Sequence, residues 1–204
     1  MSKKPIIVFE GIECSGKSLH INYISKYLLK NKIKFIKIRE PGGSKNSEKI
    51  RKLLLNKNNS FNKNTDLFLY LASRSENIEI IRKNYGKKVI LIDRFVDSTI
   101  AYQHYGMNIN LKIINILNKF LLSQLKPHFT FLNVVNSQNM IDRLKKRKNL
   151  NRYDKFKVIF YKKVQKGYLA LSKKNKKNYL VIDSNREINI NKKIILKKII
   201  ELTK

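Results

Sequence analysis

Cysteine is almost missing: the 204 residues contain one, Cys14. A lone thiol cannot close an internal disulfide or build a thiolate metal cage, and it suits a reducing compartment. Histidine is no better placed, since His20, His104 and His128 share no spacing that would hold a metal. Three prolines and seven glycines leave no Pro/Gly/Ser-rich linker and no internal repeat. No run of about 18 apolar residues is present, and Met1-Ser2-Lys3-Lys4 leads into the first strand without the apolar stretch of a signal peptide. The expectation is therefore one soluble, cytoplasmic domain spanning 1–204, with no membrane partner. Acid is scarce too: 14 Asp and Glu against 45 Lys and Arg give a formal net charge of +31. Such a balance can mark nucleic-acid binding. Here, however, Lys is scattered through every segment beside Asn and Ile, with loose clusters only at 145–148 and 173–177. That is the signature of an AT-rich coding sequence, so no specific nucleic-acid partner is expected, although the field helps attract anionic nucleotides.

Two of the seven glycines fall where they carry chemistry. Gly11-Ile12-Glu13-Cys14-Ser15-Gly16-Lys17-Ser18 fits GxxxxGK[ST] and follows the apolar run Pro5-Ile6-Ile7-Val8-Phe9-Glu10. In such a loop the backbone N–H groups cradle a polyphosphate, the Lys ammonium reaches its β and γ oxygens, and the Ser hydroxyl ligates Mg²⁺. The following segment carries Leu19, Ile21, Ile24, Tyr27 and Leu28 at helical spacing, which places the positive end of a helix dipole at the phosphates. Residues 11 to 19, including Leu19, are the expected ATP-binding segment.

Apolar runs and helical periodicities alternate along the chain. They predict strands at 5–10, 33–39, 87–93, 128–134 and 178–183. Helices are predicted at 17–31, 45–56, 64–84, 97–105, 110–124, 137–147, 153–175 and 190–203. Short apolar strands separated by helices imply a parallel five-stranded sheet covered on both faces, a doubly wound α/β domain of the P-loop NTPase type. Ligands in such sheets bind at the carboxyl ends of the strands. Arg39-Glu40-Pro41-Gly42-Gly43 closes the second strand there, and Asp93-Arg94-Phe95 the third. An acid beside a phosphate loop can hold the hydration shell of Mg²⁺, and a neighbouring Arg can clamp a second phosphate. Where a hydrolase of this class often carries a water-activating acid, the chain has Arg94. That favours transfer to another anion over hydrolysis.

Together these segments resemble the thymidylate kinase family over nearly the whole chain. The likeness rests on Phe9-Glu10-Gly11-Ile12-Glu13, Arg39-Glu40-Pro41-Gly42-Gly43, Ile50-Arg51-Lys52-Leu53-Leu54-Leu55, 67–74, Asp93-Arg94-Phe95-Val96-Asp97-Ser98-Thr99, Ala101-Tyr102-Gln103 and 160–169. The resemblance implies transfer of the ATP γ-phosphoryl group to thymidine monophosphate, with Mg²⁺ organised by Ser18 and Asp93, in a homodimer. It implies that Lys17 holds ATP, that Arg94 and Arg51 neutralise the acceptor phosphate, and that Glu13 meets the 3′-hydroxyl. Arg74 would bond thymine O4 and Thr99 the pyrimidine edge, with Tyr70 against the ring and Tyr102 crowding the 2′ position. Residues 143–153 resemble the family's mobile lid. Cys14 and Ser15 give the phosphate loop no Arg, so a transition-state guanidinium is expected from Arg147 or Arg152, with Arg143 supporting. Tyr70 stands where the stacking residue is commonly Phe, and Asn151 where an acid is common. Two rivals share parts of this pattern: a deoxynucleoside kinase of the same fold, disfavoured by Arg51 and the Gly42-Gly43 turn, and a nucleic-acid-binding ATPase, suggested by charge alone.

Overall fold

Five apolar runs become five strands: β1 (Ile6–Glu10), β2 (Phe35–Arg39), β3 (Val89–Asp93), β4 (Phe129–Val134) and β5 (Tyr179–Asp183). The structure is a computed structural model that describes residues 4–204. All four pairings are parallel, in the order β2-β3-β1-β4-β5. The helices are α1 (Lys17–Lys30), α2 (Lys45–Leu55), α3 (Lys63–Asn84), α4 (Val96–Thr99), α5 (Leu111–Leu122), α6 (Ser137–Lys145), α7 (Val158–Lys174) and α8 (Ile188–Thr203).

Side chains alternate across each strand, so β1 feeds two cores. Ile7 and Phe9 pack with Ile21, Ile24 and Leu28 of α1 and Ile195 and Ile199 of α8. Ile6 and Val8 pack with Ile78 and Ile81 of α3 and with Leu122. A strand buried on both faces has no polar side to show, which is why the runs read as continuous apolar stretches. Asparagine, abundant by composition, is put to use at helix starts: Asn62, Asn110 and Asn136 cap α3, α5 and α6 through their side chains. The register sets Phe9 beside both Asp93 and Phe131, and Arg39 beside Asp93. The ends of β1, β2 and β3 therefore open on one crevice.

Two predicted helices are corrected. The segment 97–105 is one α-helical turn continued by a π-helix, Ile100–Gly106. The wide turn brings its close glycine contacts against α7, where a Cβ on Gly106 would fall 2.6 Å from Phe160 and one on Gly167 2.5 Å from Tyr105. Apolar periodicity alone does not distinguish a π-turn from an α-turn. The helix expected at 153–175 is a separate 3₁₀ turn, Arg152–Lys155, followed by α7. Asn151 and Asp154 form a capping box on that turn, and Phe156 and Lys157 are extended before α7 begins.

Candidate active site

The phosphate loop is built by close approach. Gly11 has φ 137°, and a Cβ there would lie 2.2 Å from the Asn133 carbonyl of β4, so the loop can pass over the sheet only with glycine. Gly16 starts α1 at φ 86° with no side-chain cap, leaving first-turn N–H groups for an anion. Lys17 is buried. Its Nζ donates to the carbonyls of Gly11 at 2.9 Å and Ile12 at 2.8 Å and to Ser15 Oγ at 3.4 Å. Burial, followed by the charge of Arg94, lowers its pKa from 10.5 to about 8, against the pull of Asp93, Glu13 and Glu10. Ser18 Oγ donates to Asp93 Oδ2 at 3.1 Å. Two hard oxygens thus meet beside Lys17, which fits a magnesium ion that keeps its other positions for water and phosphate.

A brace missed in the sequence holds the loop from behind. Arg143 donates to the Cys14 carbonyl at 3.1 Å and to the Ser184 carbonyl at 2.7 Å, while Ser184 Oγ donates to the Ser15 carbonyl at 2.7 Å. The supporting role expected for Arg143 is thus given a form. Ser184, at the end of β5, carries no sequence signal.

Arg94 follows β3 in a left-handed conformation, φ 67°. The turn is held by buried Glu10, whose carboxylate accepts from Phe95 N at 2.8 Å and Ser98 Oγ at 2.6 Å. Burial pushes Glu10 up, and burial together with Glu10 pushes nearby Asp97 up to about 7. So aimed, Arg94 donates to Glu13 Oε1 at 3.0 Å and to the Tyr168 hydroxyl at 3.3 Å. It also lies 5.1 Å over the Tyr102 ring. The Tyr102 hydroxyl donates to the other Glu13 oxygen. Glu13, Arg94 and Tyr102 are therefore one locked unit.

These groups face a cavity of about 500 Å³. Its far wall is α3. Arg74 is 1 % exposed and donates from Nε to Glu40 at 2.8 Å, from Nη1 to Asn118 at 2.6 Å and from Nη2 to the Phe95 carbonyl at 2.9 Å. Three of its five donors are spent and two remain for a ligand. Tyr70 stands one turn before it, its phenol pushed up to about 12 by burial. Thr99 Oγ1 and Gln103 Nε2 are buried on the cavity wall without a protein partner. Gln103 was read only as part of a motif, because spacing does not reveal which side of a π-turn faces a cavity. Arg51 donates to the Pro41 carbonyl at 2.6 Å and also lines the cavity.

Every candidate reaches this wall except Gly11 and Ile12, which turn their carbonyls to Lys17, and Arg152. The two lid candidates are separated. Arg147 lines the cavity and pairs with Asp154 at 2.8 Å. Arg152 points away to α3, where it pairs with Asp66 at 2.5 Å. Asp154, three residues beyond Asn151, is the acid that pairs with Arg147 and closes the capping box with Asn151.

A phosphate loop on a parallel sheet, with a hydroxyl and carboxylate at its mouth and two further arginines facing it across one cavity, defines a P-loop phosphotransferase. The profile of the thymidylate kinase family matches residues 9–195. A thymidylate kinase of Thermosipho africanus is 41 % identical over 185 residues, 90 % of this chain and 91 % of its own. One from Acholeplasma laidlawii is 39 % identical over 199 residues, 96 % of this chain and 98 % of its own. The crystal structure of thymidylate kinase from Ehrlichia chaffeensis superposes with a TM-score of 0.77 at 30 % identity, covering 96 % of this chain and 98 % of that one. The chain belongs to the thymidylate kinase family.

Proposed function

We propose that the cavity binds ATP and thymidine monophosphate end to end and that the enzyme transfers the γ-phosphoryl group, giving thymidine diphosphate and ADP. The observation that carries this is the pair of cationic stations in one cavity, Lys17 at the phosphate loop and Arg94 with Arg51 opposite it. Phosphoryl transfer needs its two polyanions held in line with their charge neutralised, and little else from the protein. Lys17 and the loop N–H groups of 11–19 hold the donor phosphates. Arg94 and Arg51 hold the acceptor phosphate, and Glu13, fixed by Arg94 and Tyr102, faces the acceptor sugar. Ser18 and Asp93 would hold Mg²⁺, which would neutralise part of the polyphosphate charge.

On the base side, Tyr70 offers a face. The two unspent N–H groups of Arg74, with Thr99 and Gln103, offer donors to the carbonyl edge of thymine. A cytosine amino group would present a donor to Arg74, which can only donate, so a hydrogen bond is lost and a repulsion gained. In a panel of nucleoside monophosphates with Mg·ATP, scored by diphosphate formation, thymidylate should lead. Cytidylate should fall by about two orders of magnitude or more in kcat/KM, and ribothymidylate, crowded by Tyr102, should trail the deoxy form. Faster turnover of cytidylate or of unphosphorylated thymidine would sink the assignment.

We also propose a homodimer formed through α3 and α5, which pack side by side and leave Phe68, Ile113, Ile116 and Phe120 exposed on the outer surface. In a chain of net charge +31, these exposed apolar side chains, flanked by Lys112 and Lys119, gain most from being covered by a second copy. Phe120→Glu should convert a dimer to a monomer in sedimentation equilibrium. A wild-type protein that sediments as a monomer at micromolar concentration refutes the dimer. Among the described residues no helix is long and apolar enough to cross a membrane. We place the enzyme in the cytoplasm, with ATP and thymidylate as its partners and no specific nucleic acid.

A further inference from the structure

The lid is fastened to α3 at one carboxylate. Asp66, 3 % exposed, gives one oxygen to Arg152 Nη2 at 2.5 Å and the other to the Tyr153 hydroxyl at 3.1 Å. Both partners belong to the 3₁₀ turn between α6 and α7. The same turn reaches inward. Asp154 accepts from Asn151 N at 2.8 Å and pairs with Arg147, the lid guanidinium that faces the cavity. Tyr153 lines the cavity, with its ring 6.0 Å from those of Tyr70 and Tyr102. The Tyr153 and Tyr70 rings meet edge to face, at 72°. Asp66 and Tyr70 stand four residues apart, neighbours on one face of α3. One turn of that helix thus carries both the ring assigned to the acceptor base and the carboxylate that grips the lid.

We propose that Asp66 is a positioning residue for phosphoryl transfer: through Arg152 and Tyr153 it latches the lid turn onto α3, and through the Tyr153–Tyr70 contact it couples lid closure to the base held on Tyr70. This rests on the acceptor site described above. The latch is strong because it is dry. Removing the carboxylate leaves a guanidinium and a hydroxyl buried without partners, so the docked position of the turn loses more than one ordinary surface contact. Arg152 Nε is already buried with no partner, so Asp66 is the carboxylate that balances this guanidinium. Tyr153 joins the base platform to the latch: its hydroxyl is held by Asp66 and its ring meets the Tyr70 ring edge to face.

The test uses limited trypsin digestion, whose targets in the lid are the basic residues 143–152, together with steady-state kinetics. In the wild type, thymidylate should slow cleavage in the lid by about tenfold, the usual scale of coupling between two sites. Asp66→Asn keeps the shape and removes the charge. It should abolish that protection and lower kcat by about tenfold, with KM for ATP little changed. If Asp66→Asn does not fold, Tyr153→Phe, which deletes only the hydroxyl donor, should show the same loss of protection. Equal protection in the wild type and in the folded Asp66→Asn or Tyr153→Phe variant overturns the latch and leaves the acceptor site standing. If thymidylate protects no form, and Tyr70→Ala leaves its KM unchanged, the acceptor site itself is overturned.

Discussion

Arg147→Ala should lower kcat roughly a thousandfold while leaving ATP affinity almost unchanged, the scale seen when phosphoryl-transfer enzymes lose a transition-state arginine. Cys14 and Ser15 bring no charge to the phosphate loop, so the guanidinium must come from elsewhere. Arg147 is the lid arginine that faces the cavity, held there by Asp154 at 2.8 Å with its side chain 39 % exposed. A planar fork matches the equatorial oxygens of the transferring group, and it loses its water only when both nucleotides are bound. Arg152→Ala should cost less, about tenfold in kcat, because Arg152 is turned toward Asp66 and acts on the lid as a whole. Salt distinguishes a positioned charge from a diffuse one. Attraction by the +31 field fades steeply as ionic strength rises, whereas the Arg147 effect on kcat should persist. If neither substitution lowers kcat by even tenfold, the lid is only a solvated basic turn, and the charge must come from Arg94.

How far the sequence reached can be judged from particular residues. The parallel sheet was legible because buried strands leave unbroken apolar runs such as Val89-Ile90-Leu91-Ile92, and the first three strands are closed by a Gly or a charge at the crevice. Gly11, Lys17, Ser18, Asp93 and Arg94 were legible because their spacing is dictated by a strand end and a helix start, a local geometry that the chain must repeat in order. What failed to show was long-range. Spacing does not tell whether Arg147 or Arg152 enters the cavity, because that is decided by Asp154 and by Asp66, 86 residues before Arg152. Nor does it foretell that the Ser184 hydroxyl braces the Ser15 carbonyl across 169 residues. Gln103 was hidden differently: a π-turn rotates side chains off the α-helical wheel, so its place on the wall follows from backbone that sequence periodicity does not encode.

Lys17→Ala should nearly abolish phosphoryl transfer, with a loss on the order of 3 kcal/mol or more of transition-state stabilisation, or about a hundredfold or more in rate. The fold should survive, and the linkage argument gives the direction. The unfolded chain holds the Lys17 proton up to about pH 10.5, whereas burial and the neighbouring Arg94 release it at about 8 in the folded protein. Between those values the unfolded state binds more protons, so this group makes stability rise with pH, and at neutral pH the buried charge is a cost carried in full. The alanine variant removes both that cost and that slope. It should unfold at neutral pH no more easily than the wild type, so lost turnover cannot be blamed on lost structure. The same shift sets the pH profile of the wild type. Above about pH 8 the free enzyme has a neutral Lys17, and binding ATP must take up a proton. Thus kcat/KM for ATP should fall by up to tenfold per pH unit, whereas kcat, which reports the nucleotide-bound enzyme, should stay level because the polyphosphate restores the charge. Wild-type turnover by a well-folded Lys17→Ala variant would remove the phosphate-loop assignment. A kcat that falls together with kcat/KM above pH 8 would move the titrating group away from Lys17 and onto the transfer step.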